Sequence, residues 1–295
     1  MVSIITVNFN QNNHTFALLD SIRKQDYRQV EVLVVDNGSQ ENPEALIQTR
    51  YPEVKFIRSE QNLGFAGGNN LALPHASGEY LFFVNNDAEI TEGCMAALIK
   101  LLEATPQAGI VSPLICYHPS QSLSAERLHV QYAGMPRVNP VTGRSKMEGN
   151  GDIHTGQYAA PFKTGYAHGA AMMLPKKVLE QIGPMSEAYF LYYEEVDWCE
   201  RMHRAGLSVW VEPRALVLHK ESMTMKELGE QKTFYMSRNR VLFMRRNYQG
   251  WHFAVYLLFL TFVTAPKQVL TYLLAGDWKN LRAYVRGICS NFTNK

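Results

Sequence analysis

The stretch Tyr80-Leu-Phe-Phe-Val-Asn-Asn-Asp-Ala-Glu89 decides how the rest of the chain is read. Leu81 to Val84 run without a polar break, the pattern of a short strand buried on both faces of a mostly parallel sheet. The strand runs straight into Asn85, Asn86 and Asp87, which do not belong in a core. In open α/β sheets ligands collect outside the carboxyl ends of strands, so an acidic tip marks a candidate site. A carboxylate flanked by amides can hold a hard divalent cation through oxygen. The same residues also serve as an Asx-rich turn that ends a strand. The flanking sequence separates the two readings.

Upstream, Val2 to Val7 is rich in β-branched residues and ends in the polar tip Asn8-Phe-Asn10. This stretch alternates into a strand from the start and has no basic and apolar secretory pattern. A helical pattern from His14 to Lys24 leads to Val30–Val35, which ends in Asp36-Asn-Gly-Ser39. A helix from Pro43 to Thr49 and a short strand from Val54 to Arg58 follow. Three strand–helix units in succession predict an α/β sandwich with a mainly parallel sheet. Next comes Asn62-Leu-Gly-Phe-Ala-Gly-Gly-Asn-Asn70, whose glycines let backbone approach a ligand and whose amides donate and accept. It is neither a dinucleotide fingerprint nor a P-loop.

Downstream, Glu92–Ala104 reads as an amphipathic helix and Gly109–Pro113 as a strand. Residues Tyr117 to Lys163 lose periodicity, the mark of a functional loop or an irregular insertion. Order returns with a strand at Gly169–Leu174 and a helix from Pro175 to Gly183. Glu194, Glu195 and Asp197 then fall at a helix start, where the dipole favours negative charge. That helix stops at Gly206, and strands at Leu207–Val211 and Ala215–Leu218 lead to His219.

Composition sets bounds. With 295 residues, 46% apolar and 19% charged, the chain can bury a large core. A net charge of +2 is too small to predict nucleic-acid binding by the whole chain. The four cysteines, with no Cys-x-x-Cys pair, read as reduced thiols of a cytosolic protein and not as a disulfide framework or zinc site.

The ordered set Val7-Asn-Phe-Asn10, Val35-Asp-Asn-Gly-Ser39, Asn62-Leu-Gly-Phe65, Asn85-Asn-Asp87, Tyr193-Glu-Glu-Val-Asp197 and His219 resembles family 2 glycosyltransferases. Within that family it is most similar to the bacterial rhamnosyltransferase-like members, from the first strand to about Arg246. The resemblance implies a GT-A fold, a nucleotide-sugar donor such as a dTDP- or UDP-sugar, a divalent cation (Mg²⁺ or Mn²⁺) and inversion at the anomeric carbon. It places Asn8, Asp36, Asn37, Asn62, Gly64, Phe65, Asn69, Asn85, Asn86 and Asp87 on the donor side. Asp87 and His219 are the implied metal ligands, and His168 and Gly169 line the acceptor side. The family writes its base motif Glu-Asp-x-Asp, with the base second. Here that position is Glu195, one methylene longer, and Asp197 is the alternative base. The implied acceptor is a glycan or polyprenyl-linked hydroxyl in surface-polysaccharide synthesis. A non-catalytic nucleotide-sugar binding protein and a nucleotidyltransferase are the alternatives. The latter would want a basic glycine-rich loop that Asn10-Gln-Asn-Asn13 does not supply.

The composition changes near the end. Arg238, Arg240, Arg245 and Arg246 precede the nearly charge-free run Trp251–Ala265, which Pro266-Lys267 interrupts before a second apolar run, Val269–Ala275. Each run is shorter than the roughly 20 residues a spanning helix needs, so the basic and aromatic flanks predict helices lying in a membrane interface. The alternative is a helical pair packed on the catalytic domain or on a second copy in a homodimer. The expected organisation is a catalytic domain over 1–225 and a helical extension over 226–295, with the protein peripheral on the cytoplasmic face of the cell membrane.

Overall fold

The computed structural model describes residues 1–121, 127–220 and 229–293. The opening units are β1 (Val2–Asn8), α1 (Asn12–Arg23), β2 (Val30–Asn37), α2 (Glu44–Arg50), β3 (Val54–Ser59) and α3 (Gly64–Ala72). Then come β4 (Tyr80–Val84), β5 (Ala88–Ile90), α4 (Cys94–Ala104) and β6 (Ala108–Tyr117). After β7 (Val130–Tyr132), β8 (Phe162–Thr164) and β9 (Ala171–Pro175) follow α5 (Lys176–Ile182), α6 (Glu194–Arg204) and β10 (Ser208–His219). One sheet takes them in the order β3-β2-β1-β4-β9-β6-β10-β5, with β7 on β6 and β8 on β10.

The sheet is parallel from β3 to β4, as the alternation predicts. Beyond β4 it is mixed: β9 runs antiparallel to β4 and β6, and β10 returns parallel to β6. The unbroken apolar run of β4 has a direct cause. Phe82 and Val84 enter one core layer with Leu19 of α1 and Leu98 of α4. Leu81 and Phe83 enter the opposite layer, where Phe83 meets Trp198 edge-on with ring centroids 5.5 Å apart. Burying each such side chain contributes roughly 1.5–3 kcal/mol. The two strands expected at Leu207–Val211 and Ala215–Leu218 form one strand, β10, with an irregularity between Glu212 and Leu216.

Three helices close the described chain: α7 (Gly229–Asn247), α8 (Trp251–Leu274) and α9 (Trp278–Cys289). Helix α7 is part of the fold's core, since Val241, Phe243 and Met244 share a layer with Trp198. The expected domain boundary after residue 225 falls outside the described residues. Helix α8 corrects an expectation. Pro266 does not break it, because a π-helical turn at Leu260–Thr264 covers the carbonyls that the proline ring would meet. Its 24 residues are about 36 Å long, enough by length and composition to cross a membrane. Only 17% of its apolar window is buried, and Leu258, Phe262, Leu270 and Leu274 are exposed.

Candidate active site

The turn after β4 is placed by strand pairing. β5 runs antiparallel to the end of β10, with His219 opposite Ala88, and the Lys220 amide donates to the Asp87 carbonyl (3.0 Å). Asp87 and His219 therefore meet side by side although 132 positions separate them. Both are buried, and Nε2 of His219 lies 3.0 Å from Oδ1 of Asp87. Oε1 of the Gln131 side-chain amide sits 2.8 Å from His219 Nδ1, and an amide oxygen can only accept, so Nδ1 carries a proton. In the neutral ring Nε2 then turns its lone pair towards Asp87 and towards Asn85 Nδ2 at 3.4 Å.

His168 stands beside this pair, its ring 6.2 Å from that of His219. The Ala170 amide donates to its Nδ1 (3.1 Å), which puts its proton on Nε2. Burial first, then the neighbouring His219, lower its pKa to about 3 against the opposing pull of Asp87, so it is neutral at physiological pH.

The residues expected at the site divide into two groups. Asn8 is fully buried, donating to Asp36 Oδ1 (2.9 Å) and accepting from Thr15 (2.9 Å). Asp36 also receives Arg58 at 2.9 Å, a partner that the sequence did not single out. Asn37 holds the α3 loop, donating to the Gly64 carbonyl (3.0 Å) and accepting from the Leu63 amide (3.0 Å). Asn62 accepts from the Gly64 amide (2.8 Å), Asn86 donates to Thr15 (3.2 Å), and Asn69 donates to the Phe65 carbonyl within α3 (2.9 Å). These side chains shape the loops. Phe65, Asn85, Asp87, His168, Gly169 and His219 instead line a cavity of about 370 Å³. Gly64 is required where it stands, at φ +74° with the Phe190 carbonyl occupying the space of a Cβ.

Glu195 lines the same cavity and also a second one, of about 560 Å³. Its Oε2 is buried with no hydrogen-bond partner. Burial raises the pKa of Glu195, although backbone amides at the helix start oppose this. Glu194 is raised further, by burial and by the adjacent Glu195 charge. Asp197, two residues on, lines neither cavity. Its Oδ1 accepts from Tyr189 (2.9 Å) and Asn247 (2.9 Å), and its Oδ2 lies 3.4 Å from Arg201. These contacts tether α6 to its neighbours.

The segment ahead of α6 is strained. Phe190, Tyr192 and Tyr193 all have positive φ, at 64°, 70° and 77°. Such residues cost of order 1–3 kcal/mol each unless their surroundings fix them. The fixing group is Asn239 of α7, which is fully buried and donates to the carbonyls of Tyr189, Leu191 and Tyr192 (2.8–2.9 Å). Residues 130–150 also enter the site, through Gln131, Met147 and Asn150. Asn150 donates to the Gln131 backbone carbonyl (2.9 Å). Neither Asn239 nor Gln131 stands in a motif, so sequence spacing does not reveal them.

The family model of glycosyl transferase family 2 matches residues 3–183. The chain belongs to this family. As a family 2 glycosyltransferase it is a hexosyltransferase, which removes the non-catalytic and nucleotidyltransferase alternatives. It is 25% identical over 273 residues to an N-acetylglucosaminyl-diphospho-decaprenol L-rhamnosyltransferase of Mycobacterium tuberculosis, covering 85% of this chain and 86% of that one. It is 26% identical over 252 residues to the low-salt glycan biosynthesis hexosyltransferase Agl10 of Haloferax volcanii, covering 82% and 74%. The fold matches that of a mannosyltransferase from Pyrobaculum calidifontis solved with GDP-Man and Mn²⁺, at a TM-score of 0.61 and 17% identity over 98% of this chain and 86% of that one. The fold of this glycosyltransferase is therefore GT-A.

Proposed function

We propose that the enzyme transfers a sugar from a nucleoside-diphosphate donor to a hydroxyl of a polyprenyl-linked glycan precursor, by single displacement with inversion. The observation that carries this reading is the place of Glu195 on the wall common to two cavities, one of which also holds Asp87 and His219. A base on that wall can take a proton from an acceptor hydroxyl entering from the larger cavity as it attacks a donor sugar in the smaller one. The raised pKa of Glu195 makes it a stronger base than an ordinary carboxylate, and its orphaned Oε2 offers the lone pair. In this reading His168 donates from Nε2 to the donor, and Gly169 keeps the acceptor side open.

The residues fit a divalent cation. Asp87 Oδ1 and His219 Nε2 face each other at 3.0 Å, and the Gln131 side chain holds the imidazole from behind as partners of metal-bound histidines do. Among the described residues no group of three or more His, Cys, Asp or Glu side chains forms a metal cage. Two protein ligands with the donor diphosphate completing the shell suits an open site. When bound, the cation would neutralise charge on the departing nucleotide. A histidine ligand suits Mn²⁺ better than Mg²⁺.

The donor sugar is proposed to be rhamnose, supported by the mycobacterial relative's name, carried on dTDP or UDP. Residues 1–225 would be the catalytic domain. Residues 226–295 would be a helical extension that docks on the cytoplasmic membrane face through the exposed side of α8 while α7 completes the site. A panel of UDP-, GDP- and dTDP-sugars scored for Mn²⁺-dependent hydrolysis tests the donor, and indifference to all of them refutes it. Phe262→Asp with Leu270→Asp changes only exposed side chains and should shift the protein from the membrane to the soluble fraction. Unaltered fractionation removes the docking role of α8.

A further inference from the structure

The larger cavity is more basic than transfer to a neutral sugar hydroxyl requires. Arg144 and Lys146 enter it from the loop after β7, and Arg240 enters from α7. Glu195 is the one carboxylate among its described lining residues. None of the ion pairs between described residues involves these three cations. Arg240 is half-buried, with the Tyr193 hydroxyl (3.0 Å) as its side-chain partner. Three cations on the wall of one cavity, with no ion pair between described residues to occupy them, leave N–H donors for an anion. Two hydroxyls within electrostatic reach of Arg144 and Arg240, those of Tyr256 and Tyr284, are buried without a hydrogen-bond partner.

The same place is where the apolar helix begins. The Tyr256 ring of α8 packs on Gly143, directly ahead of Arg144, and Leu260 is buried one turn later. From there α8 turns Leu258, Phe262 and Val263 outwards. A basic cavity that opens beside the root of an exposed apolar helix matches an amphiphile with an anionic head.

We infer that Arg144, Lys146 and Arg240 bind the diphosphate of a lipid-linked acceptor, with the lipid chain leaving along α8 and the sugar reaching inwards to Glu195. This deepens the acceptor half of the proposed function and rests on it. The diphosphate and the donor nucleotide would then occupy different cavities, and the lipid anchor would set which hydroxyl reaches the base.

The test uses the full chain and no donor sugar, so its failure is distinguishable from failure of the donor panel. Farnesyl diphosphate binding is measured by calorimetry in detergent with EDTA, against farnesol and inorganic pyrophosphate. The wild type should bind farnesyl diphosphate without a divalent cation and more tightly than either control. Arg144→Ala with Lys146→Ala, both exposed, should weaken farnesyl diphosphate at least tenfold and leave farnesol unchanged, at an unaltered melting temperature. Asp87→Asn should bind farnesyl diphosphate as the wild type does. Unchanged affinity in the double variant overturns the inference, as does loss in Asp87→Asn, which would put the diphosphate on the donor side. Inorganic pyrophosphate binding as tightly as farnesyl diphosphate overturns the lipid-linked source.

Discussion

Two walls meet at the cleft, and they hold their polar groups in opposite ways. The wall from β1, β2 and α3 ties its own strand tips together: Asn8 to Asp36, Asn37 to Gly64 and Leu63, Asp36 to Arg58. Its partners are neighbours in a parallel sheet, and most are satisfied before any ligand arrives. The opposite wall, from residues 130–150, the start of α6 and α7, leaves groups unanswered: Oε2 of Glu195 and the cations of the larger cavity. Shape comes from the first wall. In the proposed function, chemistry comes from where the second meets the turn at Asp87.

The largest effect tests that junction. Asp87→Ala should abolish the Mn²⁺-dependent part of nucleotide affinity in calorimetry and lower transfer on the order of 10³-fold or more, the several kcal/mol a cation supplies. Unchanged affinity with Mn²⁺ present would mean that the turn only ends a strand. Next comes the pair of carboxylates. Glu195→Gln should reduce transfer by roughly 10²–10⁴-fold with nucleotide binding intact, the range of a general base. Asp197→Asn should show up as lost stability instead, about 1–3 kcal/mol, because the buried hydrogen bonds from Tyr189 and Asn247 and the Arg201 contact are weakened. A dead Asp197→Asn enzyme with a normal melting temperature would reverse the assignment.

Asn239→Leu sharpens the comparison at the second wall. It takes the donor from three carbonyls and should cost about 1–3 kcal/mol in stability. It should also lower kcat more than it raises the donor KM, because the first wall stays whole. The smallest effect is in the pH profile. A base must be unprotonated, and burial raises the Glu195 pKa, so kcat should fall with acid about a midpoint above the ordinary glutamate value. His168 is already neutral throughout that range, its pKa held at about 3 chiefly by burial, so replacing it by Asn should leave the midpoint in place.

Much of the first wall is legible in the sequence. Each strand there is a short apolar run that ends in Asn or Asp, and its helix follows at once, so local pattern and fold coincide. His219 is legible only through the family resemblance, since the pairing of β5 with β10 that brings it to Asp87 has no local signal: β5 is three residues long. The stretch from Tyr117 to Lys163 reads as irregular, yet it contributes β7 and β8 to the sheet and Gln131 to His219. Period-2 alternation needs more than three residues to show, so such strands escape it. Helix α8 misleads for another reason, because a proline that ends most helices is accommodated here by a wider turn.

The grip of Asn239 on the segment before α6 also makes the site depend on a part of the chain made late. During synthesis the N-terminal parts emerge first. The turn at Asp87 and β10 leave the ribosome before α7 does, but α7 belongs to the same core, and a domain folds as a unit. The left-handed run at Phe190, Tyr192 and Tyr193 then waits for an amide about fifty residues further on. A chain without α7 therefore lacks the group that seats the start of α6, and with it the place of Glu195, the proposed base.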